Sequence, residues 1–237
     1  MTAQTRLVLP GAALTPGELL VPREAARHAL VARVAPGEPI EVLNLTGVVG
    51  IGVLLCWEGT SCRVTIERLE RERGEPPAAL VLALSLLHTA AFDWAVEKAT
   101  ELGATCIVPV LAQRCQGGGH AARCARWQRV ANAAVAQCGR TRAPEVWPPQ
   151  PLAAVLGNPV GVRVVAEVGA PSPAALRPAK DGITLLTGPE GGFTAVEGEA
   201  IRTAGFIALP IGPRTLRAET AATAGLALVQ SLAGWLG

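Results

Sequence analysis

The chain of 237 residues is long enough for one large domain or two smaller ones. Half of its residues are hydrophobic but only 3% are aromatic, so Ala, Val and Leu must form most of the core. The formal net charge of +2 excludes a strongly acidic or strongly basic protein. No apolar run approaches the roughly 18 residues that a membrane span needs, and the amino terminus lacks a secretory signal, so we expect a cytoplasmic protein that contacts no membrane.

Cysteine spacing gives no sign of a metal site. The six cysteines include no Cys-x-x-Cys pair, and the chain has only three histidines. The cysteines are Cys56, Cys62, Cys106, Cys115, Cys124 and Cys138. We therefore expect no bound metal and no redox dithiol, but reduced and mostly buried thiols.

The amino-terminal part of the chain predicts a small β-rich domain. Short apolar runs at 6–9, 39–45, 50–57 and 61–69 are separated by proline and glycine turns, and one helix is predicted at 23–34. Residues 71–77 are charged and end in two prolines, which is typical of a linker. The sequence therefore predicts a first domain at 1–70, a linker at 71–77 and a second domain at 78–237.

Strands and helices alternate in the second domain. Strands are predicted at 80–87, 106–111, 145–147, 162–168, 183–186 and 206–209, and helices at 92–102, 123–138, 152–156, 195–204 and 218–235. This alternation indicates an α/β fold with a mostly parallel sheet covered on both faces. The last helix is apolar almost all round, so it must be buried in the domain or against a second copy of the chain, and we expect a homodimer.

Two glycine-rich turns near the carboxyl terminus each separate a predicted strand from a predicted helix. The first turn, at 188–193, reads Gly-Pro-Glu-Gly-Gly-Phe, and the second turn, at 211–217, contains Gly212, Arg214 and Arg217. Ligands of open α/β sheets bind beyond the carboxyl ends of the strands, and glycine lets the main chain approach a ligand closely. The sequence predicts one pocket between the two turns, although ordinary strand-to-helix turns would show the same pattern.

Arginines are concentrated in the middle of the chain. Residues 114–144 contain six arginines and neither Asp nor Glu. The predicted helix at 123–138 has one apolar stripe, which leaves Arg123, Arg126 and Arg129 on its exposed side. With Arg114 and the glycine loop at 117–120, this side suits the phosphates of a polyanion. A solvated helix face is the alternative, although such faces usually mix both signs of charge.

These motifs closely resemble the signature of the RsmE family, methyltransferases of the SPOUT superfamily that act on uracil N3 in small-subunit ribosomal RNA. The resemblance is specific at the carboxyl terminus and loose in the first domain, and it covers nearly the whole chain. The matching motifs are 188–193, Gly205-Phe206, Leu209, Gly212, Leu-Arg-Ala-Glu-Thr-Ala at 216–221, Glu-Lys-Ala-Thr-Glu-Leu-Gly at 97–103, Arg-Trp-Gln at 126–128, Gln137, Arg140, Pro144, and in the first domain His28, Val31, Arg33 and Gly37. The chain departs from the family pattern at His88, Gln113, Cys115, Ala133 and Ala136.

The resemblance implies a SPOUT-type parallel sheet with a C-terminal trefoil knot, a PUA-like β-barrel at the amino terminus and a homodimer. Periodicity alone could not predict a knot, because threaded chains are normally excluded. It also implies S-adenosylmethionine as the cofactor and 16S ribosomal RNA or the small ribosomal subunit as the partner. The cofactor residues by similarity are Thr187, Gly188, Glu190, Gly191, Leu209, Ile211, Gly212 and Leu216. We assign RNA contacts to Arg33, Arg114, Arg123, Arg126, Arg129 and Arg140.

Methylation of uracil N3 requires the removal of its proton and an aligned methyl donor. We assign Arg217 and Arg214 to stabilising the negative charge that develops on the base, and Glu219 to accepting the proton or orienting Arg217. Glu219 is explained equally well as an acid that complements the dipole of the last helix. Three other functions stay open: methylation of ribose 2′-oxygen or another base, RNA binding by a non-catalytic assembly factor, and phosphate binding by a nucleotide-binding module. The last is the least favoured, because the chain lacks the GxGxxG and Walker motifs of such modules.

Overall fold

The computed structural model describes residues 5–115, 123–170 and 180–236, so the glycine loop at 117–120 lies outside the described residues. The chain divides into two compact units. The first unit comprises Met1–Glu75 and Asn132–Ala143, and the second comprises Pro76–Ala131 and Pro144–Gly237. Among the helices of the described ranges, none has the length and apolar character needed to cross a bilayer.

The first unit is built on a five-stranded sheet. Its elements are β1 (Thr5–Val8), β2 (Gly17–Val21), α1 (Arg23–Val31), β3 (Pro39–Leu43), β4 (Val48–Glu58) and β5 (Ser61–Arg71). The strand order is β1-β3-β4-β5-β2, in which β1 and β3 are parallel and the other neighbours are antiparallel. In β5, Cys62, Val64 and Ile66 are buried and alternate with more exposed residues, as expected for a strand with one face on a core. The predicted β-rich character is confirmed, but β2 was not predicted.

A buried carboxylate holds two arginines of the first unit. Glu41 is 4% exposed and accepts hydrogen bonds from Arg6 at 3.0 Å and from Arg73 at 2.7 and 2.8 Å. Burial raises the pKa of Glu41, but the hydrogen bonds from Arg73 and Arg6 outweigh this effect, and the pKa lies below its ordinary value. Glu41 is therefore charged in the folded protein at neutral pH.

A second buried carboxylate attaches residues 132–143 to the first unit. Glu75 accepts two hydrogen bonds from Arg140, at 2.6 and 3.2 Å, and further bonds from the backbone N–H groups of Thr141 and Arg142 at 3.0 and 2.8 Å. The domain division predicted from the sequence differs here, because it assigned 132–143 to the second domain and 71–77 to a linker. These contacts join residues about 65 positions apart, so no local pattern in the sequence predicts them.

The second unit contains a seven-stranded parallel sheet. Its elements are β6 (Leu80–Ser85), α2 (Thr89–Glu101), β7 (Cys106–Leu111), α3 (Cys124–Cys138, of which the last turns belong to the first unit), β8 (Glu145–Val146), β9 (Gln150–Pro151), α4 (Leu152–Gly157), β10 (Val162–Glu167), β11 (Ile183–Thr187), α5 (Ala195–Thr203), β12 (Ile207–Pro210) and α6 (Ala218–Leu232). The strand order is β12-β10-β11-β6-β7-β8, and β9 also pairs with β7.

Helices cover both faces of this sheet. On one face, Leu82 and Leu84 of β6 pack in a cluster with residues of α2 and α6, including Phe92 and Leu226. On the other face, Ala83 shares a cluster with residues of α4 and α5. Because β6 is buried on both faces, it has the continuous apolar sequence of a central parallel strand. The predicted α/β fold with a mostly parallel, doubly covered sheet is confirmed.

Three neighbouring strands position the glycine turns. β10 lies between β11 and β12, and all three run parallel. The carboxyl ends of parallel strands meet at the same edge of a sheet, so the first turn, which follows β11, and the second turn, which follows β12, leave the sheet on either side of the end of β10.

Candidate active site

A cavity of about 760 Å³ lies at the carboxyl ends of β10, β11 and β12. Its wall is formed by both glycine turns, the end of β10, residues along the length of α5 and the first residues of α6. The lining residues are Val165, Ala166, Glu167, Val168, Thr187, Gly188, Pro189, Glu190, Gly192, Phe193, Thr194, Ala195, Gly198, Ile201, Arg202, Ile211, Thr215, Leu216, Arg217, Ala218 and Ala221. The volume falls within the range of about 300–1,000 Å³ that is usual for small-molecule and cofactor sites.

The first turn is closed by its own backbone. The N–H of Gly192 donates to the carbonyl of Pro189 at 2.8 Å, and Gly192 has a φ of +68°, which favours glycine. A Cβ at Gly188 would lie 3.0 Å from the ring of Phe193, so a side chain at 188 would press against the cavity wall. The glycines therefore let this turn pack closely around the cavity.

The second turn is attached to the end of β10. The N–H of Ile211 donates to the carbonyl of Glu167 at 3.3 Å, and the N–H of Gly169 donates to the carbonyl of Gly212 at 3.2 Å. Gly212 has a φ of +95°, which an L side chain rarely adopts. These bonds hold the second turn against the strand that separates it from the first.

The structure brings five of the eight predicted cofactor residues to the cavity wall: Thr187, Gly188, Glu190, Ile211 and Leu216. Gly191, Leu209 and Gly212 lie beside it. Leu209 is fully buried in the core below the second turn, and Gly191 contacts Arg114. Gly191 and Gly212 are adjacent in sequence to residues of the wall, and Leu209 lies two positions before Ile211.

Among the residues assigned to chemistry, Arg217 lies on the cavity wall and is exposed. It also occupies the N-cap position of α6. Arg214 is exposed and does not contribute to the wall, and Glu219 is half-buried in the first turn of α6. Of the three residues assigned to chemistry, Arg217 therefore lines the cavity. The position of Glu219 agrees with its alternative role of complementing the helix dipole.

Sequence reasoning missed the contributions of β10 and α5 to the wall. They include Val165 and Glu167 from β10, Thr194 at the N-cap of α5, and Arg202, whose guanidinium pairs with Glu199 at 2.5 Å. Proximity in the chain could not reveal them. The signal that could have found them is the strand order, because β10 separates the two turns.

The wall has both polar and apolar groups, as a cofactor with polar and apolar parts requires. The hydroxyl of Thr187 is buried and has no hydrogen-bond partner among the described residues, so it is a group that a ligand could satisfy after a side-chain rotation. Backbone groups at the two glycine turns are reachable because no Cβ covers them. Val165, Phe193 and Leu216 supply apolar surface. These residues fit S-adenosylmethionine, which has an apolar ring face, polar edges and a positive sulfonium.

The arginines assigned to RNA differ in their surroundings. Arg129 is exposed, and its Nε donates to the carbonyl of Ala125 at 3.2 Å. Arg126 is exposed but binds Asp93 at 2.6 and 2.9 Å, so the acid missing from the local sequence is supplied by α2. Arg123 is half-buried in the turn before α3. In the first unit, Arg33 is exposed.

Two of the assigned arginines are engaged with the protein itself. Arg140 is 4% exposed and paired with Glu75, so its side chain does not reach the surface, and its assignment to RNA is not retained. Arg114 is exposed but donates a hydrogen bond to the carbonyl of Gly191 at 2.8 Å. The acid-free run of sequence therefore overstates how many arginines are available to a polyanion.

Comparison with known proteins identifies the class of protein to which the chain belongs. The family model for the RNA methyltransferase domain matches residues 74–230, which is well over half of the chain. The chain therefore belongs to this family of RNA methyltransferases. The match covers the whole of the parallel sheet and the cavity at its edge.

Individual relatives narrow the class further. Ribosomal RNA small subunit methyltransferase E of Mycobacterium bovis is 30% identical over 237 residues, which cover 87% of this chain and 83% of the relative. The protein of the same name from Synechocystis is 32% identical over 171 residues, and the match covers 68% of this chain but only 56% of that relative. A crystal structure of ribosomal RNA small subunit methyltransferase E from Neisseria gonorrhoeae, bound to S-adenosyl methionine, is 30% identical. It superposes with a TM-score of 0.88 over 97% of this chain and 98% of that one. The chain is thus a member of the ribosomal RNA small subunit methyltransferase E family, as the sequence motifs indicated.

Proposed function

We propose that this chain transfers the methyl group of S-adenosylmethionine to N3 of a uridine in 16S ribosomal RNA. The observation that carries the proposal is the cavity between the two glycine turns, whose motifs are those of the family. Nucleoside mass spectrometry of small subunits incubated with the chain and the cofactor tests it. We expect 3-methyluridine, whereas a 2′-O-methylated nucleoside or another methylated base would support a different methyltransferase, and no methylation at all would support an RNA-binding assembly factor.

The cofactor would be held by the first and second turns together with the end of β10. When bound, S-adenosylmethionine supplies an electrophilic methyl group on a sulfonium. The chain's own part is to hold the donor between Thr187, Gly188, Ile211 and Leu216 so that an acceptor can approach in line. Glu167 and Glu190, both exposed carboxylates on the wall, would favour a ligand with positive charge.

Arg217 is the residue best located to act on the base. Arg217 lines the cavity, and its guanidinium could stabilise the negative charge that uracil acquires as N3 loses its proton. Glu219 and Arg214, two residues and three residues away, would accept the proton or assist Arg217. We expect Arg217→Ala to lower kcat by about a hundredfold or more, with little change in cofactor affinity. Glu219→Gln would lower kcat if Glu219 acts on the proton, and near-normal turnover of both variants would refute the assignments.

RNA would bind through Arg33, Arg126 and Arg129, which are exposed, and through Arg123, which is half-buried. Each phosphate contact changes the slope of log K against log salt by about −0.7 to −0.9, so four contacts give a slope of about −3. Asp93, which pairs with Arg126, reduces the positive charge of this surface. We therefore expect a smaller salt slope than six free arginines would give. A binding constant that does not change with salt would remove these arginines from the RNA interface. Action on ribosomal RNA would place the chain in the cytoplasm.

We also propose the finer features of the fold: a trefoil knot in the second unit and a PUA-like barrel in the first. The knot is supported by the order of the last elements, because β12 lies beyond β10 while α6 packs back in one cluster with β6 and β11. The barrel is supported by the five-stranded sheet and by α1, which follows β2 in the chain and packs against β1 and β5. A crystallographic chain trace tests both, and an unthreaded path of α6 would contradict the knot.

A homodimer is proposed from the end of α6. Seven of the fifteen residues of α6 are buried, whereas Leu236 just beyond the helix is 59% exposed and Trp235 is half-buried. A second copy would cover this apolar end. Light scattering coupled to size-exclusion chromatography should give twice the chain mass of 24.4 kDa, and a mass of one chain would contradict the proposal.

A further inference from the structure

The segment after β7 is bound to the first glycine turn through Arg114. The guanidinium Nη1 of Arg114 donates to the carbonyl of Gly191 at 2.8 Å. The aliphatic part of the same side chain lies along the turn, since a Cβ built on Gly191 would be 3.4 Å from the Cβ of Arg114 and 3.5 Å from its Cδ. Arg114 therefore contacts the turn with both its charge and its stem.

A second contact from the same segment reaches the other end of the turn. The backbone N–H of Gln113 donates to Oε1 of Glu197 at 2.7 Å, while Oε2 of Glu197 accepts from the N–H of Thr194 at 2.8 Å. The hydroxyl of Thr194 accepts from the N–H of Glu197, which completes a capping box at the start of α5. Partial burial raises the pKa of Glu197, but the N–H donors of Thr194 and Gln113, followed by the charge of Arg114, outweigh it and hold the pKa below its ordinary value. The carboxylate therefore stays charged at neutral pH and able to accept both bonds.

Besides these two contacts, the first turn is closed by the hydrogen bond from the N–H of Gly192 to the carbonyl of Pro189, and its tip lies at the surface. Glu190, Gly191 and Gly192 are exposed, and two of the three are glycines. A flexible turn that a ligand must order lowers the affinity for that ligand by the cost of ordering, and a turn held in place beforehand avoids this cost. The turn also lines the cavity at Gly188, Glu190 and Gly192.

We propose that Arg114 is a positioning residue that holds the first glycine turn in the conformation that binds the cofactor. This inference rests on the proposed function of the cavity as the S-adenosylmethionine site. It reassigns Arg114, which the sequence grouped with the RNA-binding arginines, from a phosphate contact to a support of the cofactor turn. The two roles predict different behaviour, so they can be separated.

The experiment compares Arg114→Ala and Arg114→Lys with Arg129→Ala, a matched removal of an exposed arginine from the proposed RNA surface. Calorimetry measures the Kd for S-adenosylmethionine, and binding to 16S ribosomal RNA over a salt series measures the slope. We expect Arg114→Ala to raise the cofactor Kd about tenfold, as for loss of a charge-assisted hydrogen bond, and to leave the salt slope as in the wild type. Arg114→Lys, which keeps a donor, should recover part of the affinity. Arg129→Ala should reduce the slope by about 0.7 to 0.9 and leave the cofactor Kd unchanged.

In steady-state kinetics, Arg114→Ala should raise KM for the cofactor more than it lowers kcat, because the contact with the turn is present before and during the reaction. Glu197→Gln is an independent second variant. A glutamine side chain has an NH2 donor in place of one of the two carboxylate oxygens, so in this geometry it cannot keep both the bond from Thr194 and the bond from Gln113, and the cofactor Kd should rise in the same direction. A wild-type cofactor Kd in Arg114→Ala, or a salt slope reduced as in Arg129→Ala, would overturn the inference. If the wild-type chain itself fails to bind S-adenosylmethionine, the proposed function is refuted as well.

Discussion

Replacement of Gly192 by alanine tests whether the first turn grips the cofactor. Gly192 has a φ of +68°, and a Cβ built on it would meet nothing within 4 Å among the described residues. Alanine therefore fits sterically but must adopt the left-handed region, which costs an L residue about 1–2 kcal/mol. Because the turn is exposed, it can relax to another conformation in the free protein without unfolding the domain.

Cofactor binding would then have to restore the original turn, so the strain would appear as lost affinity. A cost of about 1.4 kcal/mol corresponds to about a tenfold increase in the Kd for S-adenosylmethionine, which calorimetry can measure. Gly59→Ala is the matched control, because Gly59 has a φ of +65° in the turn between β4 and β5, and a Cβ built on it would also lie more than 4 Å from the rest of the structure that is described. The control should leave the Kd unchanged. An unchanged Kd in Gly192→Ala would refute the idea that this turn binds the cofactor.

Three further changes test other parts of the molecule. Thr187→Val removes a buried hydroxyl that has no partner in the described part of the chain. It should raise the unfolding free energy of the cofactor-free protein by about 1 kcal/mol while weakening cofactor binding a few fold, as followed by thermal unfolding and calorimetry. Leu226→Ala, at a fully buried position of α6, should cost about 2–5 kcal/mol in a denaturant titration. The pKa of Glu41 is lowered in the folded state, so its stabilising contribution is present above its unfolded value near 4.5 and is lost as pH falls through the folded value. Stability of Glu41→Gln should consequently vary less over that acidic range than stability of the wild type.

The second domain was well predicted because its signals are local. The run at 106–111 coincides with β7, and the apolar stripe of the arginine-rich helix includes the buried Trp127, Ala131 and Val135 of α3. Glycine and proline also mark the two turns directly in the sequence. Such features depend on neighbours a few residues away, so periodicity and turn chemistry are enough to find them.

The features that were missed depend on contacts between distant residues. The inclusion of 132–143 in the first unit follows from Glu75 and Arg140, which are 65 positions apart. The partner of Arg126 is Asp93, 33 positions away, so counting charges along the chain overstated the basic surface. The wall contributed by β10 follows from a strand order that the sequence alone does not specify. The candidate site was therefore located from the sequence, but only part of its wall was identified.

A crystal structure of the chain with S-adenosylmethionine tests the central claim most directly. We expect the ligand to lie between the first and second turns, in contact with Thr187, Gly188 and Leu216, and with its methyl group open toward Arg217. Clear density for the ligand elsewhere on the molecule, with side chains occupying the space between the turns, would contradict the account.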